Sequence, residues 1–186
     1  MESALFSVLM SVYAKTRATD LKACLVSIKD QTLTPDEIVL IKDGPVVPAI
    51  DECIVIFSNI LPIRVYAYPV NRGLGPALRD GLLACKHELI ARVDSDDRCL
   101  PNRFYQQVYF MTNNPTISAV GGFMRELYDS GGSTISAVRR VPLDSKTINS
   151  SAKSRNPINH PTVMFRKSVV IDGGNYQNCP FFEDYY

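Results

Sequence analysis

The chain of 186 residues has almost no net charge, with 20 Lys and Arg against 19 Asp and Glu. Without a basic excess it does not read as a general nucleic-acid binder. No apolar run approaches the ~18 residues of a membrane span. Met1-Glu2-Ser3-Ala4 lacks the basic region of a signal peptide, and the first strand is expected almost at once, leaving no room for a targeting segment. The five cysteines are Cys24, Cys53, Cys85, Cys99 and Cys179. Their number is odd and no pair has C-x-x-C spacing. Cys24 and Cys85, on apolar helical stretches, read as reduced core residues, which suits a cytosolic compartment. No G-x-G-x-x-G follows the first strand and no G-x-x-x-x-G-K-[ST] occurs anywhere, which disfavours a dinucleotide enzyme or a P-loop NTPase. There are no repeats, no low-complexity tract and no linker that would split the chain.

What is present is ordinary for a soluble α/β domain: 46% hydrophobic and 21% charged residues. Phe6–Tyr13, Glu37–Lys42, Ile63–Tyr68 and a run from Leu89 ending at Asp94 read as strands. Helices are expected between them: one capped by Asp20 and running to about Gln31, one from Pro48 to Ile60, and one carrying Leu74, Leu78 and Leu82 on a single face. Leu100-Pro101-Asn102 reads as the start of a fourth helix, with Phe104, Val108 and Met111 on one face. This alternation predicts βαβ units and a mainly parallel sheet. Beyond it, Ile117–Tyr128 and Thr134–Val141 read as strands about a Gly131-Gly132 turn, and Pro142–Ile158 as loop with some helix. His160–Phe165 reads as a last strand. Between 138 and 167, seven basic residues (Arg139, Arg140, Lys146, Lys153, Arg155, Arg166 and Lys167) face a single Asp144. They form either a solvated face or a basic rim for an anionic acceptor, a lipid pyrophosphate or a membrane surface.

The chemistry concentrates in Asp94-Ser95-Asp96-Asp97, directly after an apolar strand. The carboxyl end of a parallel strand borders the crevice where open α/β sheets bind ligands. Carboxylates this close repel unless a cation neutralises them, and hard oxygen donors suit Mg²⁺ or Mn²⁺ shared with a substrate phosphate. An EF-hand loop counted from Asp94 would need Gly and Glu where Cys99 and Tyr105 stand. Solvated acids at a helix start, with Asp97 as a cap, are the plainer reading. Asp43 ends another strand on the same edge, either as a turn residue or as a hydrogen-bond partner for a ribose or base. Gly73-Leu74-Gly75 before a helix offers backbone N–H groups to a phosphate. Glu183-Asp184, in an aromatic setting, could supply a general base or simply lie exposed. His160 reads as a hydrogen-bonded structural histidine rather than a base or ligand. Arg92 sits awkwardly in a buried strand, either supporting the carboxylates or reaching the surface.

Taken in order, Ser7–Tyr13, Ile28–Thr32, Glu37–Gly44, Asn71–Leu74, Leu89–Asp97, Leu100–Phe104, Asn159–Thr162 and Phe182–Asp184 resemble family 2 glycosyltransferases, particularly bacterial enzymes of polysaccharide and glycan assembly. The resemblance covers essentially the whole chain. It implies an α/β GT-A fold in one domain, with a nucleotide-binding half over 1–115 and an acceptor-binding half over 116–186. By that resemblance Ser11, Val12, Tyr13, Asp43, Asn71, Gly73 and Asp94 hold the nucleotide-sugar. Asp96 and Asp97 hold Mn²⁺ or Mg²⁺ on the diphosphate, and Asp184, beside Glu183, is the catalytic base. The implied activity is inverting transfer from a nucleotide-diphosphate sugar, UDP-linked, to a glycan or lipid-linked acceptor hydroxyl. A non-catalytic nucleotide-sugar-binding domain and a sugar nucleotidyltransferase are the alternatives. Nucleotide sugars in such pathways imply a cytoplasmic protein, compatible with peripheral contact at the cytosolic membrane face. Leu78 departs from the resemblance, because many family members carry Arg there.

Overall fold

Three apolar runs of the first hundred residues form strands buried on both faces, a fourth run forms a partly exposed edge strand, and the segments between them wind into helices. A computed structural model describes residues 4–130, 133–154 and 156–179. The first half comprises β1 (Phe6–Tyr13), α1 (Ala18–Lys29), β2 (Glu37–Asp43), α2 (Pro48–Ser58), β3 (Ile63–Ala67), α3 (Leu74–Ala84), β4 (Leu89–Arg92) and α4 (Arg103–Asn113). The second half adds β5 (Ala119–Val120), β6 (Met124–Ser130), β7 (Ser133–Arg139), α5 (Ser145–Ser151), a 3₁₀ turn over His160–Thr162, β8 (Met164–Arg166) and α6 (Lys167–Asp172). The main sheet runs β3-β2-β1-β4-β8-β5. Its first four strands are parallel, as the alternation predicts. β8 lies antiparallel between β4 and β5. The β6–β7 hairpin forms a sheet of its own.

Alternation along β1 divides the core. Phe6, Val8, Met10 and Val12 pack with Leu21, Leu25 and Ile28 of α1 and Phe104 of α4, while Leu9 joins Val39 and Ile41 against Leu78 and Leu82 of α3. The rings of Phe6 and Phe104 meet edge to face at 5.2 Å. Leu78 is fully buried in this second layer, so the departure from Arg is a core position rather than a cleft position.

Several boundaries differ from the sequence reading. α1 begins at Ala18 with Arg17 at its cap, and Asp20 sits in the first turn, paired to Arg17 at 2.5 Å. An acid there complements the helix dipole without capping. α4 begins only after Asn102, and β4 stops at Arg92 rather than Asp94. The stretch from Ile117 to Tyr128 is not one strand but breaks at Gly121-Gly122. There the N–H of Gly122 donates to the Thr162 hydroxyl (2.9 Å) and the Asn159 amide donates to the Gly122 carbonyl (3.0 Å), so side chains replace a strand ladder. His160–Thr162 winds into the 3₁₀ turn and only Met164 onward pairs as strand. Asp144 caps α5, accepting the Thr147 N–H at 2.9 Å.

Two members of the basic segment are structural. Arg166 donates to the carbonyls of Met111 (2.9 Å) and Ile117 (3.0 Å), closing the end of α4. Lys167 reaches the carbonyls of Leu83 and Cys85 at the end of α3. Cations suit helix carboxyl termini, whose last carbonyls lack partners. Gly131, Gly132, Arg155, Glu183 and Asp184 lie outside the described residues. Among the described residues no helix is long and apolar enough to cross a membrane.

Candidate functional site

The parallel strands β1, β2 and β4 end side by side, and their carboxyl ends border a cleft of about 600 Å³. Ser11, Tyr13, Asp43, Asn71, Gly73, Asp94 and Asp96 all line it, as the sequence places them. Val12 does not. Strand alternation turns it into the core, where it is fully buried, so its side chain is no part of the cleft. Asp97 stands behind the lining residues and is half-buried. Lys15, Thr16, Arg17, Asp20, Leu74 and Ser95 complete the walls, and of these the sequence reading named only Leu74 and Ser95 as members of candidate binding motifs.

Each loop is held by specific contacts. After β1, Thr16 closes a turn, its hydroxyl accepting the Tyr13 N–H and its own N–H donating to the Tyr13 carbonyl, both at 3.0 Å. After β2, Asp43 is buried, and its two carboxylate oxygens accept the N–H groups of Arg72 (2.8 Å) and Gly73 (2.9 Å). The Asn71 amide donates to the Asp43 carbonyl at 3.0 Å. Asp43 is therefore first a loop-closing residue, with its remaining lone pairs at the cleft. The Gly73 N–H is spent on it and is not free for a phosphate, contrary to the reading of Gly73-Leu74-Gly75 as an open anion cradle. Gly44 allows this closure: its φ is +86°, and a Cβ there would come within 2.6 Å of the Asn71 nitrogen.

The acidic loop after β4 is latched from α1 and α4. The Cys24 thiol donates to the Asp94 carbonyl at 3.3 Å, and the Ser27 hydroxyl accepts the Cys99 N–H at 3.0 Å. Gln31 donates to the Leu100 carbonyl (2.8 Å) and accepts the Phe104 N–H (3.1 Å). Arg103 donates to the Arg92 carbonyl at 2.7 Å. Cys24 and Cys85 are buried, as expected, and burial pushes both thiols up, Cys85 to about 12. Cys24 is thus a loop latch as well as a core residue.

Arg92 does not reach the surface. It is fully buried and pairs with the Asp94 carboxylate, while its Nε and Nη1 lie buried with no hydrogen-bond partner. His160 lies beside this pair with Nε2 3.0 Å from the Tyr176 hydroxyl. Burial first, then the charge of Arg92, holds the imidazole far below its usual range, so it is neutral. His160 is thus hydrogen-bonded within the fold, as the structural reading has it. Asp97 is raised to about 6, by burial and then by the charges of Asp94 and Asp96. No three or more His, Cys, Asp or Glu side chains converge as a metal cage among the described residues. The donor set instead fits a cation held by one or two carboxylates and completed by substrate oxygens, the usual arrangement for Mg²⁺.

Comparison with known proteins agrees with this architecture. Residues 7–174 match the family model for Glycosyl transferase family 2. The chain is 40% identical over 181 residues to the amylovoran biosynthesis glycosyltransferase AmsE of Erwinia amylovora, covering 97% of this chain and 67% of that protein. It is 36% identical to the UDP-Gal:alpha-D-GlcNAc-diphosphoundecaprenol beta-1,3-galactosyltransferase of Escherichia coli, covering 97% of this chain and 65% of that one. Among solved structures, S. aureus TarS in complex with UDP-GlcNAc superposes with a TM-score of 0.68 at 18% identity, covering 97% of this chain and 51% of that one. A mannosyltransferase from Pyrobaculum calidifontis in complex with GDP-Man and Mn²⁺ superposes at 0.66 with 14% identity, covering 92% and 47%. The chain thus spans about two thirds of these curated relatives and about half of these solved chains. The fold is that of the GT-A glycosyltransferases. With the family model matched from β1 through α6, the chain belongs to glycosyl transferase family 2.

Proposed function

We propose that this chain binds a nucleotide-diphosphate sugar, UDP-linked, in the cleft over β1, β2 and β4, and serves its inverting transfer to a glycan or lipid-linked acceptor hydroxyl. The observation that carries this reading is the set Asp43, Asp94 and Asp96 lining one cleft at the carboxyl edge of the sheet, with Asp97 held at elevated pKa behind them. The named relatives include a UDP-galactose enzyme, and the solved neighbours hold UDP-GlcNAc or GDP-Man with Mn²⁺, which supports a nucleotide-sugar donor.

In this reading Ser11, Tyr13, Asn71 and the free lone pairs of Asp43 hold the nucleoside, with Gly73 shaping the loop. Asp94 accepts a hydrogen bond from the ribose or the sugar, and Asp96 and Asp97 hold the cation. A bound Mn²⁺ or Mg²⁺ neutralises the charge that develops on the departing diphosphate. Asp184, supported by Glu183, takes the acceptor hydroxyl proton from the face opposite the leaving group, and one in-line displacement inverts the anomeric centre. Lys15 at the cleft wall adds positive charge that would favour the diphosphate, whereas the charge of Arg17 is paired with Asp20.

Calorimetric titration with UDP, GDP and dTDP, each with and without Mn²⁺, tests the reading. UDP binding strengthened by Mn²⁺ is expected. Asp184→Asn is expected to bind UDP like the parent and to lose transfer. Absence of binding for all three nucleotides overturns the proposal.

A further inference from the structure

Arg92 is the one fully buried cation among the described residues. Its backbone is fixed by hydrogen bonds that any residue would make: the N–H to the Val163 carbonyl (2.9 Å), and the carbonyl from Arg103 (2.7 Å). Its guanidinium is fully buried, with two of its three nitrogens unpaired. A leucine would fill such a strand position without desolvating a charge. What the guanidinium does make is one ion pair, to Asp94. The three acids of the loop are therefore not equivalent. Asp94 has the cation in direct contact, whereas Asp96 and Asp97 have no ion pair within 4 Å among the described residues, Asp97 feeling Arg92 and Arg103 only at longer range. His160, oriented by the Tyr176 hydroxyl and electrically neutral, adds no second positive charge at this point.

We propose that Arg92 is a positioning residue that divides labour among the acids: it compensates the charge of Asp94, so that Asp94 meets the nucleotide-sugar as a hydrogen-bond acceptor, while Asp96 and Asp97 keep their charge for the cation. This rests on the nucleotide-sugar reading and adds to it which carboxylate is withheld from the metal, and by what. A compensated carboxylate can approach an anionic diphosphate without repelling it. An uncompensated one needs a divalent ion first.

The test titrates Mn²⁺ alone, UDP alone and UDP with Mn²⁺ into the full chain and its variants. In Arg92→Met the bare charge of Asp94 is expected to tighten Mn²⁺ alone about fivefold and to weaken metal-free UDP about tenfold. Arg92→Lys, which keeps the charge, is expected to stay within about threefold of the parent on both. Adding Asp94→Asn to Arg92→Met is expected to return Mn²⁺ affinity to about the parent value. A purely packing role for Arg92 predicts a lower thermal midpoint with unchanged Mn²⁺ affinity, or changes that Asp94→Asn does not reverse, and either result overturns the proposal. If Arg92→Met does not fold, the single variants decide. Asp94→Asn is expected to cost Mn²⁺ less than about threefold and Asp96→Asn more than about tenfold, so equal losses overturn the proposal. A parent chain that binds neither UDP nor Mn²⁺ overturns the functional reading itself, an outcome distinct from equal losses in a parent that binds both.

Discussion

The two ends of the parallel sheet treat negative charge in opposite ways. At the amino end of β2, Glu37 is buried and its oxygens collect the Ser7 hydroxyl (2.7 Å), the Lys86 N–H (2.8 Å) and the Arg64 guanidinium. Burial alone would raise its pKa, but these contacts outweigh it and hold the carboxyl below its usual range. At the carboxyl end the balance reverses, and burial plus the neighbouring acids drive Asp97 up to about 6. One end spends its carboxylate on closing the fold. The other keeps carboxylates close together, with only Asp94 in an ion pair among the described residues. A strongly perturbed acid beside a cleft is what a binding site would show, and a well-paired one is what a structural contact shows.

Four substitutions sharpen or break this contrast. The largest effect is expected from Asp96→Asn, which should cost roughly 100-fold in Mn²⁺-dependent UDP affinity by calorimetry while leaving the thermal midpoint nearly unchanged. Glu37→Ala should do the reverse. It strands the Ser7 hydroxyl and the Lys86 N–H in the interior and should lower unfolding free energy by about 2 kcal/mol in urea titrations, with nucleotide affinity unaltered. Loss of both stability and binding at either position would dissolve the distinction between the ends. Gly44→Ala comes next, because it imposes a Cβ at positive φ and against Asn71. About 1–2 kcal/mol of destabilisation is expected, together with weaker UDP binding as the Asp43 loop shifts.

On stability in the absence of metal, Asp97→Asn should have the smallest effect, and of opposite sign. The folded-state pKa of Asp97 lies above its unfolded value of 3.8, so the folded chain binds the extra proton between about pH 4 and 6. Its contribution to stability is complete below the unfolded pKa and is lost as pH rises through 6. The difference in thermal midpoint between variant and parent should therefore grow in the variant's favour from pH 4 to 7, reaching roughly 1–2 °C. Mn²⁺ should narrow that gap by stabilising the parent alone.

The first half of the fold was legible because its signals are periodic. The apolar runs of β1, β2 and β4 and the Leu74–Leu78–Leu82 face report burial directly. The carboxyl-edge acids were legible because parallel strands put their ends in one place. Illegible were residues whose role depends on partners far along the chain. Gln31 meets Leu100 and Phe104, Ser27 meets Cys99, and Arg166 meets Met111. A polar side chain's local pattern does not say which distant carbonyl it will find. Val12 illustrates a simpler effect: the strand-one end is named as a block, whereas alternation turns every second side chain away from the cleft and into the core. Arg92 carried a signal of its own, a charge within an otherwise apolar strand, and of its two readings, supporting the carboxylates or reaching the surface, its burial and its pair with Asp94 favour the first.

The placement of β8 also bears on how the chain is made. β4 is flanked on one side by β1, which precedes it, and on the other by β8, whose residues 164–166 are synthesised much later. At ribosomal rates of about 5–20 residues per second, the roughly seventy intervening residues take about 4 to 14 s. Through that interval β4 is an open edge, apolar on both faces and directly ahead of the acidic loop. An open apolar edge invites pairing with another chain. Asp94, Asp96 and Asp97 then stand as charged flanking residues that oppose such pairing until β8 arrives.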